Sequence, residues 1–120
     1  MTDLFRLPAY EALIAGLPGT SLADQWESRV AKVGGKVFSL MHGEGDRGRI
    51  VVKVTEESFE ILTALDGITQ APYFARRMWV SISASSPLSA EEIAHYVSRS
   101  HALVAAGLTK KLRLELGIAL

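Results

Sequence analysis

The stretch SRVAKVGGKVFSLMH, residues 28–42, decides the fold. Two runs of β character, Ser28 to Val33 and Lys36 to His42, flank Gly34-Gly35. A glycine pair between such runs marks a tight hairpin whose turn needs positive φ. With that turn fixing the register, Val33 faces Lys36, Ala31 faces Phe38 and Arg29 faces Leu40 on one side of the sheet. Lys32 opposite Val37, Val30 opposite Ser39 and Ser28 opposite Met41 fall on the other side. The first set is the more apolar at its centre, which assigns it to the core.

Downstream, Arg49 to Val54 reads as a third strand, reached through the charged, glycine-rich loop Gly43 to Gly48, long enough to project from the sheet. Met78 to Ser83 forms another strand after a loop carrying Pro72, and Ser21 to Trp26 adds an edge strand upstream. Alternation sends Ile50, Val52, Val54, Met78, Val80 and Ile82 inward. It leaves Arg49, Val51, Lys53, Trp79, Ser81 and Ser83 outside, and the outer face so read carries Trp79, Val51, Val37 and Met41 among Lys32, Arg49, Lys53, Ser39 and Ser81. A helix opens at Pro8 or Ala9 and runs to about Gly16. A second is capped by Thr55, carries Phe59, Leu62 and Leu65, and ends at Gly67. The clearest helix begins with a capping box of Ser89 and Glu92. It keeps Ile93, Tyr96, Val97, Ser100, Leu103 and Val104 at helical spacing and closes at Gly107, before a short last helix from Thr109. This order gives an α+β fold: a meander of antiparallel strands with helices gathered on one face and the other face open.

The chain has 120 residues, 48% apolar and 22% charged, with 13 basic and 13 acidic side chains. That suits one domain, residues 1–120, burying roughly two-thirds of the surface its unfolded form exposes. Cysteine is absent, which excludes disulfides, thiolate zinc sites, iron–sulfur clusters and thiol nucleophiles. There is no basic stretch followed by an apolar run at the start, and no unbroken apolar window long enough to span a bilayer. A soluble, cytoplasmic protein is the expectation.

Charge is unevenly spread. Residues 28–54 hold six basic side chains (Arg29, Lys32, Lys36, Arg47, Arg49, Lys53) against Glu44 and Asp46, a balance of +4. Residues 55–75 hold Glu56, Glu57, Glu60 and Asp66 with no basic residue, a balance of −4. Arg76-Arg77 and Lys110-Lys111 add two further basic spots, the latter in a first helical turn, where the dipole disfavours cations. Basic residues on projecting hairpins suit phosphates. The same residues on strand edges also deter edge-to-edge pairing. An outward tryptophan, Trp79, among small and basic residues suits a contact surface for a protein partner as well.

Catalytic signatures are missing. His42, His95 and His101 share no metal-ligand spacing, and Glu91, His95 and Arg99 read as a solvated helix face. The glycines between 43 and 48 lack the strand-to-helix setting of phosphate and dinucleotide loops. A non-enzyme without metal or cofactor is expected.

Taken together, Val33-Gly34-Gly35-Lys36-Val37-Phe38-Ser39-Leu40, Gly48 to Val54, Pro72-Tyr73 leading to Arg77-Met78-Trp79-Val80, and SHALVAAGLTKK from Ser100 to Lys111 resemble the MmcQ/YjbR family of small bacterial proteins. The likeness runs from about residue 9 to 115 and includes Leu17-Pro18-Gly19. It implies a CyaY-like α+β fold and a bacterial, cytoplasmic DNA-binding protein with a double-wing motif of β-hairpins. Phe74 and Met78 stand where the family often has histidines, and Ala75 where asparagine is usual. Under that reading Arg29, Lys32, Lys36, Arg47, Arg49 and Lys53 contact phosphates, with Arg76, Arg77, Trp79, Lys110 and Lys111 alongside. Few base-edge readers are evident, so little sequence preference is expected. The competing reading is a protein-interaction module built on the open face around Trp79. Monomer and homodimer are both compatible with the sequence.

Overall fold

The computed structural model describes residues 3–72 and 78–118. Helix α1 (Leu7–Ala15) leads into strands β1 (Thr20–Gln25), β2 (Ser28–Val33) and β3 (Lys36–His42). A short 3₁₀ turn, Gly45–Arg47, precedes β4 (Arg49–Lys53), then α2 (Glu56–Thr63), β5 (Ile68–Gln70), β6 (Trp79–Ser83), α3 (Ala90–Ala105) and α4 (Lys110–Glu115). The strands form one antiparallel sheet in the order β1-β2-β3-β4-β6-β5.

This is an α+β fold, but not a plain meander. The chain leaves β4, passes through α2 to the far edge as β5, and returns to lay β6 between β4 and β5. The sequence gives little sign of β5, which is three residues long and directly follows the α2 turn. Leu65, expected within α2, lies beyond its C-cap at Ala64.

The helices cover one face. Ile93, Val97 and Val104 of α3 are buried against that face, in a core with Phe38, Met41, Ile50, Val52, Val80 and Ile82. The capping box forms as expected: the Ser89 hydroxyl accepts from the Glu92 N–H, and the Glu92 carboxylate accepts from the Ser89 N–H. No helix among the described residues is long and apolar enough to cross a membrane.

The hairpin register follows the glycine turn for two pairs, Val33↔Lys36 and Lys32↔Val37, and then slips. A bulge between Ala31 and Lys32 sets Ala31 against Ser39, Val30 against Leu40 and Arg29 against Met41. The sequence-based pairings of Ala31 with Phe38, Arg29 with Leu40, Val30 with Ser39 and Ser28 with Met41 are therefore each one residue out. A one-residue slip exchanges faces. Met41 and Ser39, expected outside, face the helices, and Leu40 turns outward.

What holds the bulge comes from far along the chain. The buried Ser100 hydroxyl, on α3, accepts from the Lys53 N–H at 2.8 Å and donates to the Phe38 carbonyl. It bridges the two strands at the ladder position beyond Ser39↔Val52. The adjacent His101 donates from Nε2 to the Pro18 carbonyl at 2.8 Å and meets the Phe38 ring edge-on, tying α3 to the α1–β1 turn. These roles of Ser100 and His101 have no local signal in the sequence.

Candidate functional site

The face turned away from the helices is not uniformly open. Val30, Leu40, Val51 and Ala71 form a small second core there, with Val37 and Trp79 packed against it. Polar groups flank this apolar band at both ends. Lys32, Lys53 and Trp79 stand at the end nearer the Gly34-Gly35 turn, since Lys32 pairs with Val37 and Lys53 with Trp79. Ser28, His42 and Arg49 stand toward the other end, with Ser81 buried beside Val51 in the middle. The Ser28 hydroxyl lies 3.0 Å from His42 Nδ1, and His42 pairs with Arg49 across β3 and β4.

Arg49 is fixed in place. Its Nε donates to the Ser81 hydroxyl at 2.6 Å, and its second terminal nitrogen donates to the Ser81 carbonyl and the Thr69 hydroxyl. These acceptors are a carbonyl and two hydroxyls, none of which carries a charge to offset that of the guanidinium. Among the described residues, the strand side chains of this face include Lys32, Arg49 and Lys53 and no carboxylate.

Beside Arg49 opens a groove of about 900 Å³. Leu40, Val51 and the buried Ser81 make its floor, and Ser28, His42 and Arg49 its polar rim. Trp26 and Pro72 are at its margins, with Glu27 the one carboxylate among its described lining residues. Trp26 and Glu27 are the turn between β1 and β2, and both adopt positive φ, +54° and +58°. Glycine and asparagine normally fill such positions. Here two ordinary residues do, and the indole is 66% exposed. The edge strand expected to run to Trp26 stops at Gln25, and with no glycine or asparagine at 26 or 27 the sequence carries no sign of this turn.

The other expected contact residues scatter. Arg29 faces the helices, where Nε and a terminal nitrogen meet Glu11 at 2.9 Å and the other terminal nitrogen meets Asp24 at 3.1 Å. The hydrogen bond to Glu11 is the first reason its pKa is raised, with Asp24 adding to it. Lys36 borders Gly107 at the α3–α4 junction, where the hairpin tip also packs Gly34 against Leu108. Lys110 and Lys111 are exposed in the first turn of α4.

Arg47 sits on the 3₁₀ turn, and its loop does not project as expected. The Gly45 N–H donates to the Phe5 carbonyl at 2.7 Å, the Glu44 carboxylate accepts from the Leu7 N–H, and Gly48 is packed against Phe5. Glycines at 45 and 48 allow that close approach, which straps the loop to the N-terminal segment. Arg76 and Arg77 lie outside the described residues. Among the described residues no group of three His, Asp or Glu is placed to hold a metal ion.

The YjbR family model matches residues 15–103. No curated protein matches the chain. Among solved structures, a Deinococcus radiodurans protein with the family-model domain DUF419 is similar at a TM-score of 0.85 and 24% identity, over 95% of this chain and 89% of that one. A Pseudomonas syringae protein is similar at a TM-score of 0.59 and 23% identity, over 70% of this chain and 86% of that one. At these identities the likeness is one of fold.

Proposed function

This chain belongs to the YjbR family, and from that premise we propose that it is a non-enzymatic DNA-binding protein of the bacterial cytoplasm, which contacts phosphates with little sequence preference. The contact surface lies on the outer face of the sheet, not on the hairpin loops. The observation that supports it is the sign of the charge there: Lys32, Arg49 and Lys53 with no carboxylate among the described strand side chains of that face. Arg29 is set aside because Glu11 and Asp24 already neutralise it.

Salt titration tests the reading. Binding to labelled DNA, followed by fluorescence anisotropy, should weaken steeply as salt rises. Replacing Lys32 and Lys53 together by alanine should flatten the log–log slope by about 0.7–0.9 for each phosphate that is no longer neutralised. An unchanged slope with DNA still bound would remove these lysines from the site. The apolar band of Val30, Leu40, Val51 and Trp79 favours a second reading, a protein partner docked on the same face. Binding of that kind should change little with salt and fall most in Trp79→Ala.

A further inference from the structure

Resting on the nucleic-acid reading above, the geometry points to a single strand as the form this face takes, with an unpaired base seated in the groove beside Trp26. Shape favours a single strand. Six strands span roughly 24 Å across the sheet, about twice the width of a B-form major groove. A face that broad does not enter an undistorted duplex. The loop best suited to do so, residues 43–48, is strapped to Phe5 and Leu7 instead.

The indole favours it as well. Trp26 is 66% exposed and held on a turn that costs backbone energy to form. A duplex hides the faces of its bases within the stack, whereas a single strand presents them, and stacking on an aromatic side chain accepts any base. An apolar floor of Leu40 and Val51 continues inward from that margin.

The rim supplies matching chemistry. Ser28 and His42 offer donors and acceptors for the edge of a base, and Glu27 can accept from an exocyclic amino group. Arg49 is pinned by neutral partners and so remains a receptor for a phosphate. Along β4, Arg49 and Lys53 are about 13 Å apart. A strand with one base in the groove therefore has Lys53, Lys32 and Trp79 ahead of it on the same face. An apolar cleft alone would suit a partner's side chain equally. The polar rim and the cations, which meet no carboxylate within ion-pair distance among the described residues, favour a nucleotide.

Trp26 and Trp79 are the chain's two tryptophans, so Trp79→Phe leaves Trp26 as the sole indole reporter. Titrating that variant at low salt with oligo-dT should quench its emission. The single strand should also bind wild-type protein about tenfold or more tighter than a dA·dT duplex of equal length. Trp26→Ala, at an exposed position the fold does not need, should cost about tenfold in single-strand affinity, within the range for loss of one stacked base. Equal affinity for duplex and single strand, absence of quenching while anisotropy still shows the Trp79→Phe variant bound to oligo-dT, or unchanged affinity in Trp26→Ala would each overturn the inference while leaving the nucleic-acid reading standing. Failure of wild-type protein to bind either form at low salt would overturn that reading, and this inference with it.

Discussion

Trp26 and Glu27 hold a two-residue turn in the left-handed region with no glycine to ease it. For side chains with a Cβ that conformation costs about 1–2 kcal/mol per residue. Glu27→Gly should therefore stabilise the fold by about 0.5–1 kcal/mol, after allowing for the greater freedom glycine gives the unfolded chain. Urea denaturation would measure it, and a loss of stability would show that the turn is not strained. Ser100 is the opposite case, a small polar residue the fold needs. Ser100→Ala deprives the Lys53 N–H and the Phe38 carbonyl of their shared partner. Leaving such groups unsatisfied costs about 1–3 kcal/mol, and the midpoint of unfolding should fall accordingly. A midpoint equal to wild type would mean that the two strands close up and bond directly once the hydroxyl is gone.

Elements whose instructions are local were legible in the sequence. Gly34-Gly35 specifies its hairpin through backbone freedom alone, and Ser89 with Glu92 specifies the start of α3 through bonds within one turn. Gly34→Ala, at φ +56° with its new Cβ facing Leu108, should cost about 1–2 kcal/mol. A thermal scan that showed no loss would release that turn from its demand for glycine. The bulge was not legible, because its hydroxyl bridge is supplied by a residue 62 positions away. Everything beyond it in β2 and β3 changed partner, so Met41 and Leu40 exchanged faces. Strand β5 escaped notice because three residues are too few to show a period. At the candidate site, Lys32, Arg49, Lys53 and Trp79 were assigned to the correct face, while alternation correctly turned Arg29 inward and proximity could not reveal Glu11. Trp26 was missed for want of turn residues around it.

Across the whole molecule, the sheet separates two surfaces. The helical side holds the carboxylates of Glu56, Glu57, Glu91 and Glu92 together with the cations of Arg29, Lys110 and Lys111, whereas the described strand side chains of the other face carry cations alone. Between them, Tyr10 is fully buried and donates to the Ser39 hydroxyl. Burial raises its pKa well above the ordinary phenol value, the bond to Ser39 offsetting part of the shift. The folded phenol therefore keeps its proton after the unfolded one has lost it. This stabilisation is complete below about pH 10 and should fall by about 1.4 kcal/mol per pH unit above it. Denaturation at alkaline pH should show that slope in wild type and lose it in Tyr10→Phe. Strand order has a further consequence, in time. As the chain leaves the ribosome, β4 emerges well before β6, the neighbour that completes its hydrogen bonding. Until residue 83 is free, Ile50, Val51 and Val52 form an unprotected β edge on a half-built sheet. Nascent chains arrested in that interval should be the most prone to associate with one another or to engage a chaperone.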